Sequence, residues 1–480
     1  MRNHLSLTII ALCLPFILWA VCAIEPTFDD FTTLQSPWWV QIADPGYFHP
    51  DAIRRPWDFL FGCLLGYYPP LFPTLNHVCI ILGHAASALL VFRLCRWFSL
   101  GTLATNTATL LFFFSPATLG ATLACDGLNQ TYAQLWGLLS LCCYLDKRYR
   151  LWLLCVVMAA LSKENGLAWA VVAPIVAWGF QQEERREALR HIGHGLLVAL
   201  AYFVVFFTIT YCGIFDIHYD EQYAEVTLVS HLKDFMQMVA YNWVPLDYMS
   251  AVYPPTRNWT VVAITALMSL PFLLLLATGW RQLKTRRLLV LIACFFVLAS
   301  PHLVTLVSIM HNYAPLAMTA LSTAIIISHG TDKGTLRPKT VIAGFALFMA
   351  AALFTDVRHY QAARQAGLVG RQMAMQVIEQ SATPPQRAFC INIDDEAMPR
   401  YSNFCVRPVD AFGWGLSVRH YSHYTWKTAI TDVSLPSFDR QRVQHMADSA
   451  LHAGNDAVWL VGHDADKVTI IMSAFPLCAE

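Results

Sequence analysis

Asp29 and Asp30 stand side by side just past the first apolar run of the chain, Leu5 to Ile24. Two carboxylates held together at the edge of an apolar medium repel one another and lose hydration. One of them is then expected to keep its proton to unusually high pH, which suits a general base working near neutrality. A solvated loop start or a helix cap would use the same residues without chemistry. Lys163-Glu164 is the second signal, because it is the only charge between two short apolar segments and a lysine can neutralise a phosphate as a compact cation. A structural ion pair is the alternative there. The paired Arg54 and Arg55 fit either a phosphate or lipid headgroups. Asp126 is a lone acid beside Gly127, and His311-Asn312-Tyr313 could bind an anion or hold a helix end.

The elements that must position these residues are apolar. Of 480 residues, 56% are hydrophobic and 13% charged, about half the charged share of an ordinary soluble protein. Lys plus Arg and Asp plus Glu are each 32, so net charge is zero and no basic surface for nucleic acid is implied. The apolar residues fall in runs. Beginning with Leu5 to Ile24, they continue at His77 to Cys95, Thr102 to Leu119, Thr131 to Leu145, Leu151 to Leu161, Leu167 to Phe180, Leu196 to Ile214, Val261 to Trp280, Leu288 to Leu303, Ala314 to Ile327 and Val341 to Phe354. This predicts an α-helical polytopic membrane protein with about eleven transmembrane helices. The first run exceeds a typical signal-peptide core and reads as a retained span. The two runs flanking Ser162 to Gly166 are short for a bilayer and are expected to continue through the polar residues, tilt, or line a wet cavity.

Basic residues collect in alternate loops: Arg2, Arg93 and Arg96, Lys147 to Arg150, Arg185 to Arg190, Arg281 to Arg287 and Lys333 to Lys339. By the positive-inside rule these loops are cytoplasmic, which puts the amino end inside and the carboxyl end outside. Asp29, Asp126, Lys163 and His311 then share the outer face. The membrane part is expected over residues 1–355, with a first outer loop at 25–75 carrying interfacial helices and a second at 215–257. Residues 356–480 change composition. A helix through Arg358 to Gln380, a strand at Ala388 to Ile393, a helix near Arg440 to His452 and strands at Ala457 to Gly462 and Val468 to Ser473 predict a small extracytoplasmic α/β domain. An oxidising compartment would permit a disulfide such as Cys390 to Cys405. No CxxC or HExxH spacing suggests a metal site.

The order Asp29-Asp30, Arg54-Arg55-Pro-Trp-Asp-Phe-Leu, Pro73-Thr-Leu-Asn76-His77, Ser115-Pro116, Leu161-Ser-Lys163-Glu164-Asn-Gly and His311-Asn-Tyr-Ala-Pro315 resembles the GT-C superfamily of integral membrane glycosyltransferases. These use polyprenyl-phosphate sugars and include protein O-mannosyltransferases and the enzymes that add aminoarabinose to lipid A. The resemblance covers roughly residues 1 to 355. It implies a base at Asp29 or Asp30, a donor phosphate held by Lys163 with Arg54, Arg55 or His311, and supporting roles for Asp126, Glu164 and Tyr313. Where relatives carry Glu-Arg-Tyr or Arg before the late tyrosine, this chain has His311-Asn312-Tyr313.

The expected activity is transfer of one sugar, with inversion, from a polyprenyl-phosphate donor to a hydroxyl of a cell-envelope glycan, a lipid or a protein. It would take place at the periplasmic face of a bacterial inner membrane. No nucleotide is needed, and a divalent cation at Asp29 and Asp30 is compatible with the chemistry but not required. A lipid or sugar flippase would instead place ionisable residues at mid-membrane in broken helices. A lipid-linked polysaccharide polymerase or ligase would be expected to carry an Arg-rich outer loop.

Overall fold

The computed structural model describes residues 4–27, 30–31, 73–211, 227–253, 256–281, 286–304, 308–381, 383–394, 404–423, 425–464 and 467–472. Asp29, Arg54 and Arg55 lie outside the described residues, as do most of the first outer loop and its expected interfacial helices.

The apolar runs become helices α1 (Leu5–Val21), α2 (Thr74–Trp97), α3 (Thr102–Phe113), the short α4 (Leu119–Thr122), α5 (Leu128–Leu145), α6 (Tyr149–Ser162), α7 (Trp169–Gly179) and α8 (Arg185–Tyr211). There follow α9 (Leu228–Trp243), α10 (Tyr248–Val252), α11 (Trp259–Arg281), α12 (Arg286–Ala299), α13 (Leu316–Asp332) and α14 (Pro338–Gln380). Among the described residues, four stretches are long and apolar enough to cross a membrane: Thr74–Trp97, Arg185–Val205, Trp259–Arg281 and Pro338–Gln380. Leu5–Val21 and Tyr149–Ser162 are apolar but shorter. α13 is buried on nearly every side, from Leu316 through Ser328, and forms the axis of a core with Trp152, Trp169, Phe112 and Phe272. The outward faces are apolar as well. Phe16, Trp19, Leu197, Leu267 and Leu289 are all exposed, a surface that water would not tolerate and lipid would. α9, in the stretch 215–257 expected as a second outer loop, exposes Val229, Leu232 and Met236 along one stripe and buries Met238 and Tyr241 on the other side.

The polar interruption after α6 is a real break. Lys163 adopts extended dihedrals, φ −157° and ψ 143°, and a 3-10 turn, Glu164–Ala168, leads into α7. Gly166 permits the tight return, since a Cβ there would sit 2.4 Å from the Ala159 backbone.

The tail helix expected from Arg358 and the span expected at Val341 to Phe354 are one element. No Gly or Pro separates them, and α14 runs 43 residues without a cap between. Beyond it, β1 (Arg387–Ile393), α15 (Leu416–Tyr421), β2 (Ala429–Leu435), α16 (Arg440–His452), β3 (Ala457–Asp464) and β4 (Lys467–Met472) build a sheet of order β2-β1-β3-β4, the first three strands parallel and β4 antiparallel. Alternation along β1 divides the layers. Ala388 and Cys390 face Met373, Ala374 and Val377 of α14, whereas Ile391 packs with Val443 and Ala447 of α16. Cys390 and Cys405 are both free thiols, so the disulfide allowed by composition does not form. The Cys390 thiol instead lies in the sheet core and donates to Asn392 Oδ1 at 3.3 Å.

Candidate functional site

Asp30 sits in a short turn beyond α1, 3% exposed. Its Oδ2 accepts from the Thr27 backbone N–H at 2.8 Å and from Thr27 Oγ1 at 3.2 Å, while Oδ1 accepts from the Asp126 N–H at 2.9 Å. One carboxylate therefore pins its own turn and ties it to the segment Cys125–Gly127, which the sequence placed 96 positions away. Burial, then the negative charge of Asp126, push the Asp30 carboxyl up to about 7, against the lowering effect of the backbone donors. Because the Asp30 oxygens face N–H and O–H donors, a divalent cation could bind them only by displacing those partners. Among the described residues no group of three or more His, Cys, Asp or Glu side chains is gathered as metal ligands would be.

Beneath Asp30, Cys125 Sγ lies 3.4 Å from His77 Nε2, and Phe31 covers Cys125 from above. Burial and then the charges of Asp30 and Asp126 push that thiol well up, which disqualifies it as a nucleophile.

A chain of close packings leads from this turn to Lys163. A Cβ on Gly127 would lie 1.9 Å from Ala121 O, and one on Gly120 would lie 2.4 Å from Met310 N. The segments 119–127 and 309–313 thus touch backbone to backbone, which only glycine allows. Met310 Sδ in turn lies 3.9 Å from Lys163 Nζ. Glu164, half-buried, opens the turn after Lys163.

His311 closes a 3-10 turn, Ile309–Tyr313: its Nδ1 accepts from the Ser308 N–H at 3.1 Å, so Nε2 is the nitrogen that carries the proton. Its ring stacks on His302 with centroids 4.3 Å apart. His302 Nε2 in turn accepts from Asn165 Nδ2 at 2.8 Å, and the same amide donates to Gln130 Oε1 at 3.2 Å. Tyr313 is fully buried. His84 Nε2 donates to Phe113 O at 3.0 Å, which leaves Nδ1 to accept the Tyr313 hydroxyl at 2.8 Å.

The structure accordingly brings Asp30 and Asp126 together, and Lys163 close to His311 through Met310 and His302. Tyr313 is turned into the helical core. Gln130, Asn165 and His302 do not stand out as a group in the sequence, because neutral side chains leave no trace in the charge pattern. The Leu161-to-Gly166 interruption was the signal that could have drawn attention to Asn165.

No protein-family model matches the chain, and no curated protein sequence matches it.

Proposed function

We propose that the chain is a membrane glycosyltransferase that moves one sugar from a polyprenyl-phosphate donor to a hydroxyl of a cell-envelope glycan, lipid or protein, at the outer face. In this reading the eleven apolar runs all cross or enter the membrane, with the amino end inside and the carboxyl end outside. The observation that carries it is the buried Asp30 carboxylate, bonded to the Asp126 N–H in a segment that glycine contacts link to Lys163.

A carboxylate just outside an apolar span accepts the proton of the acceptor hydroxyl. The acceptor oxygen then forms its bond to the anomeric carbon as the bond from that carbon to the lipid phosphate breaks, with inversion. Charge accumulating on the departing phosphate is met by Lys163, with the His311 Nε2–H and Arg54 or Arg55 assisting. The engaged, buried oxygens of Asp30 favour a division of labour in which Asp29 is the base and Asp30 has a structural part.

The test is transfer by purified protein in nanodiscs from synthetic polyprenyl-phosphate sugars to glycan, lipid A and peptide acceptors. Product formation that falls sharply in Asp29→Asn and Lys163→Ala supports the reading. Full rates in both variants would remove the site assignment. Lipid movement between leaflets without donor consumption would favour a flippase.

A further inference from the structure

The break after α6 holds a polar arrangement that the proposed reaction does not use. Asn165, two residues past Lys163, joins three elements: its Nδ2 is bonded to Gln130 Oε1 on α5 and to His302 Nε2 in the turn Ser300–Val304. Each amide thereby spends one end and keeps the other. Gln130 Nε2 and Asn165 Oδ1 are both shielded from solvent, and neither has a partner among the described residues. Gln130 is 1% exposed, and one helical turn further along α5 the 2% exposed Gln134 also has an Nε2 without a partner among the described residues.

A buried donor or acceptor left unmade costs about 1–3 kcal/mol, so such a set persists where something else completes it. The two unspent amide ends define the chemistry of the completing group. A phosphate or carboxylate only accepts and cannot serve Asn165 Oδ1. An ammonium only donates and cannot serve Gln130 Nε2. A hydroxyl does both through one oxygen, as a water would, and a polyhydroxylated ligand offers a second hydroxyl for Gln134. The flat face of the stacked His302–His311 rings borders the same turn.

We infer that Gln130, Asn165 and His302 form a hydroxyl-binding subsite for the sugar of the lipid-phosphate donor, next to the Lys163 that takes its phosphate. The inference rests on the proposed lipid-phosphate donor and adds to it: the ligand recognised here is neutral and polyhydroxylated, held by amides and a neutral imidazole. His302 belongs to the set as the group that orients Asn165, so that Oδ1 points away from the imidazole nitrogen.

The experiment compares binding of undecaprenyl phosphate with that of its mannosyl, glucosyl and 4-amino-arabinosyl derivatives to the full-length protein in nanodiscs. Gln130→Met keeps the volume and removes the donor. It should weaken the best-bound sugar-bearing lipid by about fivefold to tenfold, the worth of one hydrogen bond, and leave undecaprenyl phosphate within about twofold. That retained binding also shows that the variant is folded. Gln130→Glu, which turns the donor into an acceptor, should lose at least as much, whereas Lys163→Ala should weaken the bare and the sugar-bearing lipid alike. Equal losses for both lipids in Gln130→Met, or no loss in either, would overturn the subsite and leave the amides holding structural water only, with the donor reading intact. Failure of the wild-type protein to bind any lipid phosphate would overturn the donor reading and the subsite with it.

Discussion

Arg371 on α14 reaches back 346 positions to pair with Glu25 at 2.6 Å, joining the C-terminal part of that helix to the segment that ends at Asp30. Tyr421 donates to the other Glu25 oxygen at 3.3 Å, and its ring meets Phe31 edge-on with centroids 6.1 Å apart. The tail thus grips both ends of the short stretch that carries the carboxylate. The ion pair is partly exposed and contributes little by itself. The backbone contact is tighter, since a Cβ on Gly367 would lie 2.3 Å from Glu25 O.

Gly367→Val should therefore displace the Glu25 backbone and lower the proposed sugar transfer by about tenfold or more, while Arg371→Ala should change thermal stability by less than about 1 kcal/mol. Turnover and melting temperature of the two variants in the same detergent decide it. Equal effects would place the anchoring in the charge pair instead of the backbone.

Asp30 makes stability depend on pH with a defined sign. Its carboxyl is raised to about 7 in the folded chain, whereas an unfolded aspartate releases its proton near 4. Across that window the native state holds the extra proton, so stability is greatest below about 4 and declines as pH rises toward 7, by at most about 1.4 kcal/mol per unit. Unfolding followed from pH 4 to 8 should show that slope in wild type and a flatter one in Asp30→Asn. Parallel curves would mean that Asp30 is ionised throughout.

On the proposed donor reading, removing the Lys163 cation should cost about a hundredfold in kcat/KM for a lipid-phosphate sugar, the usual scale for one group stabilising developing charge. Lys163→Arg should restore part of it. Steady-state rates at fixed ionic strength provide the check, and a rate unaffected by Lys163→Ala would move the phosphate site elsewhere.

In the tail, Arg407 Nε donates to Asp394 Oδ1 at 3.0 Å and its Nη2 to Oδ2, both residues being buried. Arg407→Ala leaves a carboxylate without its cation in the interior and should destabilise the tail by about 3–5 kcal/mol. Limited proteolysis after β1 reports this directly, and resistance equal to wild type would show that Asp394 takes up a proton at little cost.

The helices were legible in the sequence because the apolar runs are bounded by polar residues, and the break at Lys163 announced itself as charge between two short runs. β2 was missed: Asp432 interrupts its apolar pattern, and the strand lies at the sheet edge with only Leu435 fully buried. The alternation Thr431, Val433, Leu435 was the signal it did offer. Of the site, Asp30 and Lys163 stood out by charge. Their partners did not, since no local period relates Asp30 to Asp126 or Glu25 to Arg371. Neutral amides such as Gln130 were hidden for a different reason: a glutamine in a helix becomes informative only when its unmet hydrogen bond can be counted.

The uninterrupted course of α14 fixes a phase as well as a position. At about 1.5 Å per residue its 43 residues extend roughly 65 Å, about twice a bilayer's hydrocarbon thickness, and every residue added turns the downstream part of the helix by about 100°. A single insertion between Thr355 and Gly367 would rotate Arg371 off Glu25 and carry Tyr421 with it, although it altered no residue of the site. Length changes in that stretch are tolerable only in near-whole turns, so the helix works as a keyed shaft whose angular setting is part of the candidate site.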